Sequence, residues 1–282
     1  MKTISLLFLT LCAAASAWAD FSYTSTRKGS GPGPAAAPSA TKHYFKGQKM
    51  LTDSADTATL LDFDAQTITT IQKAAKTYVV VKFSEIPEAM TQAGVEAKVD
   101  IKETGQKKVI NGYNASEMIM NMAMDSPQMA QAGMKMQLEM SVWTSTDVPG
   151  AQELKAFYQK NAANFPWSAI SGSGMQKAMT DVQKKMAANG GVPMLQVIKA
   201  KSAGDGPQAA QMQASMERAR AQMEALIKQG GPGAEGAKQA LARMGGGMGG
   251  GALFEMTMES SGFSTASIPD SVFAIPAGFR KK

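Results

Sequence analysis

From Met118 to Met124 methionine occupies every second position, with Ile119, Asn121 and Ala123 between. A period of two belongs to an extended strand, whose side chains alternate between faces; a helix would scatter these four around its axis. The segment MQLEMSVW repeats the rule a short connection later, with Met136, Leu138, Met140 and Val142 on one parity and Gln137, Glu139, Ser141 and Trp143 on the other. Antiparallel pairing of the two segments predicts a hairpin with eight unbranched or apolar side chains on one face. Any fold that contains this hairpin has to bury that face or offer it to an apolar partner.

The rest of the chain supplies further strands. FSYTST opens the series and HYFKGQKML, TATLLDF, QTITTIQ and KTYVVVKF follow, divided by turn formers at Asp53-Ser54 and Asp62-Phe63-Asp64, as in an antiparallel meander. In EAKVDIKETG, Ala97, Val99 and Ile101 share one face and charged residues the other, and a turn is expected at Gly105-Gln106. GVPMLQVIKAKS and LFEMTMES read as two late strands, the second with Phe254, Met256 and Met258 inward. Helices are expected at 84–94, capped by Ser84, and in GAQELKAFYQKNA. A third, GMQKAMTDVQKKMAAN, carries an apolar stripe of Met175, Ala178, Met179, Val182 and Met186. Residues 28–40, rich in Gly, Pro and Ala, read as a flexible loop. Residues 203–251 read as an insertion with a helix at 206–229, a stop at Gly230-Gly231-Pro232 and a flexible glycine-rich end.

The first nineteen residues have the form of a secretory leader: Lys2, the apolar run ISLLFLTLCAAA, and the small-x-small site Ala17-Trp18-Ala19 before Asp20. Cleavage there removes the one cysteine, Cys12, and with it disulfides, thiolate metal sites and cysteine nucleophiles. It also lowers the formal charge of +6 by one. The remaining cations are dispersed except for Arg280-Lys281-Lys282, and no basic face with stacking aromatics suggests nucleic acid. No later run is long enough to span a membrane.

His43 is the single histidine, so no His-His zinc pair can form, and no nucleophile elbow surrounds it. It reads as a surface or edge-strand residue. Asp53, Asp56, Asp62 and Asp64 lack the glycine and terminal glutamate of a calcium loop and read as turn residues. The triplet Asn114-Ala115-Ser116 matches a glycosylation acceptor but lies in a strand. The 22 methionines admit three uses. Flexible thioethers can line an adaptable apolar surface, soft sulfur can hold Cu(I), and methionine can scavenge oxidants. Copper sites usually recruit histidine, and none is near. No catalytic set, metal site or cofactor emerges, so a binding or carrier module is expected rather than an enzyme.

Thr104-Gly105 through Ile110-Asn111-Gly112-Tyr113, Val142-Trp143 through Asp147-Val148-Pro149-Gly150, and Phe273 through Ile275-Pro276-Ala277-Gly278 give the chain a further signature. In this order they resemble a family of bacterial exported proteins carrying a domain of unknown function, similar in organisation to the LolA, LolB and LppX-type carrier fold. The resemblance implies an α+β domain over residues 20–282: a curved, open antiparallel half-barrel with helices on the concave side, extended here by the helical, glycine-rich insertion. It implies a protein that receives an acyl chain, lipid or lipoprotein, and the leader-like start, cleaved after Ala19, makes a periplasmic or secreted location the expectation. The expected apolar face combines Met118, Met120, Met122, Met136, Leu138, Met140 and Val142 with Met175, Met179 and Val182 from the covering helix. A structural or sensory module whose helix 206–229 docks an envelope protein, and Cu(I) binding, are the alternatives.

Overall fold

The computed structural model describes residues 20–30, 38–85, 96–125, 136–162, 164–166, 182, 190–202, 207–231, 233–243 and 252–282. Among them twelve strands form one sheet that does not close on itself, since its edges, β7 and β12, are not neighbours. Two meanders share it. β1 (Phe21–Ser30), β2 (Ser39–Lys46), β3 (Lys49–Asp53), β4 (Thr57–Asp62), β5 (Thr67–Gln72) and β6 (Thr77–Lys82) follow one another in space. So do β7 (Glu96–Ile110), β8 (Tyr113–Asp125), β9 (Met136–Ser145), β10 (Val192–Ser202) and β11 (Ala252–Ser264). The meanders join where β11 pairs antiparallel with β1, and β12 (Arg280–Lys281) adds a parallel pair beside β6. Three α-helices lie among the described residues: α1 (Ala151–Asn161), α2 (Pro207–Gln229) and α3 (Ala234–Arg243).

Turn chemistry fixes several registers. Asp62 Oδ1 accepts the backbone N–H groups of Asp64 and Ala65, closing the β4–β5 turn as an acidic turn former does. Asn111 and Gly112, at φ 51° and 85°, turn β7 into β8, the Asn-Gly pair that suits a two-residue hairpin. This corrects the expected turn at Gly105-Gln106: β7 runs through those residues, absorbing them as an irregularity between Glu103 and Lys107. HYFKGQKML is likewise two strands, because Gly47, at φ 55°, reverses the chain between β2 and β3.

The expected loop 28–40 is shorter than its composition suggested. Lys28, Gly29 and Ser30 continue β1 opposite Thr257, Met256 and Glu255, and Ser39 and Ala40 already belong to β2. Ladder hydrogen bonds to β11 on one side and β2 on the other outweigh the local preference of glycine and alanine. At 84–94, Phe83–Glu85 form a single 3-10 turn, and the remainder lies outside the described residues. Lys201 of β10 pairs directly with Ala252 of β11, so the chain leaves and re-enters the sheet at one point around α2 and α3.

Cross-strand pairing defines two faces. Phe21, Phe45, Met50 and Leu61 follow one another across β1 to β4. Through β1 the same parity leads to Arg27, then to Met258, Gln196, Val142 and Met118 across β11, β10, β9 and β8. α1 covers the aromatic part of this face: Leu154 and Phe157 are buried with Phe21 and Phe45, and Phe45 meets Phe157 edge-on at 5.2 Å between centroids. Gly150, at φ 89°, starts α1 with its Cα against the Phe21 ring.

The opposite face of the first meander carries Tyr44, Leu51, Ala58, Leu60, Ile71 and Tyr78, and Ile268, Val272, Phe273 and Phe279 from the segment after β11 pack on it. Polar contacts pin that segment. Asp20 Oδ2 accepts the Ile268 N–H at 2.6 Å, while Lys46 donates to the Ile268 carbonyl at 2.6 Å and pairs with Asp270 at 2.8 Å. The β7–β8 tip folds back as well, with Asn111 Nδ2 donating to the Ser260 carbonyl of β11 at 3.0 Å.

Candidate apolar ligand-binding face

The β8–β9 register pairs Met118 with Val142, Met120 with Met140, Met122 with Leu138 and Met124 with Met136. Met118, Met120 and Met122 are only 2–4% exposed and Val142 1%, whereas Leu138 and Met140 are half-buried. The side chains of Met124 and Met136 lie outside the described residues, as do Met175 and Met179. Val182, helical and buried, packs in one cluster with Met118, Met120 and Val142, so it lies against the methionine face.

Pairing extends the face beyond the residues expected. On β7, Val99 stands opposite Met122 and Ile101 opposite Met120; on the other side Met140 faces Ile198, and Ile198 faces Met256. Five neighbouring strands thus present apolar side chains in rows. Alternation already marked Val99, Ile101 and Met256; only the strand order, invisible in sequence, shows that they adjoin the methionines. Such a face can exclude water and conform to an apolar chain, because unbranched thioethers change rotamer at low cost.

The described cavity is elsewhere. About 360 Å³ in volume, it is lined mainly by the opposite parity, Asp100, Asn121, Ala123, Gln137, Glu139 and Lys201, and touched at its edge by Val99 and Met122 of the methionine face. Glu139 and Lys201 pair there at 3.0 Å. Most of the cavity lining is therefore on the polar side of the same strands, while Val182 packs against Met118, Met120 and Val142 on the methionine side.

His43 departs from expectation. It lies on β2, an interior strand, stacked on Tyr23 at 4.5 Å between centroids, and Ser25 Oγ lies 2.9 Å from its Nε2. The strand that sequence alone placed at a surface or edge is flanked by β1 and β3. Burial lowers the His43 pKa to about 4, and its Nδ1 has no hydrogen-bond partner among the described residues. Burial pushes the Tyr158 hydroxyl up to about 12, and burial followed by repulsion from Tyr158 raises Tyr23 further. This patch is neutral near pH 7. Among the described residues no side chain orients the ring through Nδ1, the role a third member plays beside a Ser-His pair.

Near the surface, the hydrogen bond from Lys46 to Asp270 raises the lysine pKa and lowers that of the aspartate. Among the described residues no three His, Cys, Asp or Glu side chains gather as metal ligands, and no helix is long and apolar enough to cross a membrane.

No protein-family model matches the chain, and no curated protein matches it. Among solved structures it is similar to a LolA superfamily protein from Nitrosomonas europaea, with a TM-score of 0.27 and 7% identity over 91% of this chain and 90% of that one. Two crystal forms of PNGF-II give TM-scores of 0.32 and 0.33 at 9% identity, over 93% and 94% of this chain but 31% of PNGF-II. Superpositions this loose carry no argument about function.

Proposed function

We propose that the protein is an exported, non-catalytic carrier whose methionine-lined face takes up an acyl chain of a lipid or lipoprotein. The observation that carries this reading is the register of β7 to β11, which places Met118, Met120, Met122, Met140 and Val142 on one face with Val99, Ile101, Ile198 and Met256. In this reading the sheet is curved, α1 and Val182 lie on its concave side, and residues 203–251 are an appendage to a single domain. In the same reading the leader-like first nineteen residues are removed on export and the protein works in the periplasm or outside the cell.

Because Met118, Met120 and Val142 are already buried with Val182 against them, uptake in this reading is an exchange. Val182 gives up its contacts with Met118, Met120 and Val142, and the acyl chain takes them over. Apolar surface is then covered before and after, and the gain comes from the ligand's own area leaving water, at ~25 cal/mol per Å². Affinity is set by chain length and shape rather than by polar contacts. Native mass spectrometry of the purified protein, followed by titration with a fluorescent fatty acid, tests the proposal. A bound lipid, or saturable binding competed by long-chain but not short-chain fatty acids, is expected; a ligand-free protein that also fails to bind the probe contradicts it.

The near-complete burial of Met118, Met120 and Val142 also supports a second reading, in which the face is an ordinary core and the partner surface is α2. Most described side chains of α2 are exposed, Leu226 among them. In that case removal of residues 203–251 abolishes capture of an envelope protein, and no lipid is found. Cu(I) at the thioethers would instead appear as affinity for Cu(I) that falls in Met120→Leu and Met122→Leu.

A further inference from the structure

The segment after β11 ends in Arg280-Lys281-Lys282, and its edge position makes this short run a surface. Arg280 and Lys281 form β12 against Thr77 and Tyr78, with the Arg280 N–H bonded to the Lys76 carbonyl and the Lys282 N–H to that of Tyr78. Lys76, Arg280, Lys281 and Lys282 are all exposed. None of the four forms an ion pair among the described residues, as is also true of Lys28 and Lys42, whereas Lys46, Lys49, Lys73 and Lys82 of the same meander are paired. The one acidic residue after β11, Asp270, is already neutralised by Lys46.

Apolar side chains accompany the charge. Among the described residues four large apolar side chains are exposed: Val79, Val109, Leu226 and Ile275. Two belong to the paired segments here, Val79 on β6 at 39% exposure and Ile275 on the approach to β12 at 39%. Ile275 is followed by Pro276, Ala277 and Gly278, all exposed, in a turn closed by the Phe279 N–H on the Pro276 carbonyl. Clustered cations beside an exposed apolar turn are the two elements of peripheral membrane binding: basic groups meet lipid phosphates, and apolar groups enter the head-group boundary.

We propose that the β6–β12 edge docks the protein on an anionic phospholipid bilayer, through Lys76, Arg280, Lys281 and Lys282 with Ile275 as the inserted tip. This inference is independent of what the methionine face holds, since vesicle binding is read without any ligand there. Basic groups near an anionic surface contribute about 1 kcal/mol each, so losing three of them weakens partition roughly a hundredfold. Screening shortens their reach from ~10 Å at 0.1 M salt to ~3 Å at 1 M, so the attraction also disappears with salt.

The test is co-sedimentation of the full mature chain with vesicles of phosphatidylglycerol and phosphatidylethanolamine, compared with vesicles of phosphatidylcholine alone. Binding to the first, little to the second, and release by 0.5 M salt are expected. The triple variant Arg280→Gln, Lys281→Gln, Lys282→Gln should lose most of the binding at an unchanged circular dichroism spectrum. Lys76→Gln, on β6 rather than β12, should weaken it by several-fold and guards against a fault in the tail alone. Ile275→Ser should lower what survives in salt. Equal binding to both vesicle types, an unchanged triple variant, or a triple variant impaired only toward heparin or DNA overturns the proposal.

Discussion

Met120 on β8 stands directly opposite Met140 on β9, yet Met120 is 2% exposed while Met140 is only half-buried. The pair therefore spans the step from fully buried to half-buried side chains on the methionine face. Met120 also faces Ile101 on β7, so it sits between two apolar partners on neighbouring strands.

Replacing Met120 tests how much of this face is core. Met120→Ala removes buried atoms from a packed site and is expected to destabilise by about 2–5 kcal/mol, whereas Met120→Leu should cost less than about 1.5 kcal/mol. Urea unfolding followed by circular dichroism measures both. A near-neutral Met120→Ala would mean that the site is loose enough to collapse or to hold water.

His43 gives the fold a dependence on pH. Its folded pKa of about 4 lies below the ordinary 6.5, because burial disfavours the imidazolium. Between those values the unfolded chain holds the proton more tightly than the folded one, so stability is full above about pH 6.5 and falls as pH drops toward 4. The loss amounts to about 3 kcal/mol at most. Urea midpoints from pH 7 to pH 4.5 should fall in the wild type and stay flatter in His43→Gln; identical slopes would contradict this account.

Gly150 is irreplaceable on two grounds. Its φ of 89° strains any other residue, and a Cβ there would overlap the Phe21 ring, which is fully buried. Gly150→Ala is expected to cost at least about 3 kcal/mol in thermal or urea unfolding. A wild-type-like midpoint would show that α1 and Phe21 are not in contact in solution.

Deletion of residues 203–251 should leave the sheet intact, because Lys201 and Ala252 are already cross-strand partners and a short turn can join β10 to β11. Acyl-chain binding is expected to survive the deletion. Loss of folding in the shortened chain would show that α2 and α3 support the sheet.

Much of this was legible in the sequence because alternation is local. The parity of Met118, Met120 and Met122 against Met136, Leu138 and Met140 needs only the rule that neighbouring side chains point to opposite faces, and the register then follows from hydrophobic matching. Turn chemistry was legible at Asp62, but not at Gly105, where the chain extends past a glycine by absorbing an irregularity. The ends of the 28–40 segment, strand order and the interior place of His43 depend on partners far away in sequence. Thr24 pairs with Ser261 and Lys28 with Thr257, and nothing local in β1 announces β11. The pinning of the C-terminal segment by Asp20 and Lys46 was hidden for the same reason.

Methyl NMR of protein labelled at the methionine Cε, titrated with a twelve- to eighteen-carbon fatty acid, reads the methionine face directly. The account predicts that the Met118, Met120, Met122 and Met140 resonances shift together and saturably, while Met50, on the first meander, stays in place. Unmoved resonances for those four, or shifts confined to other methionines, would contradict it.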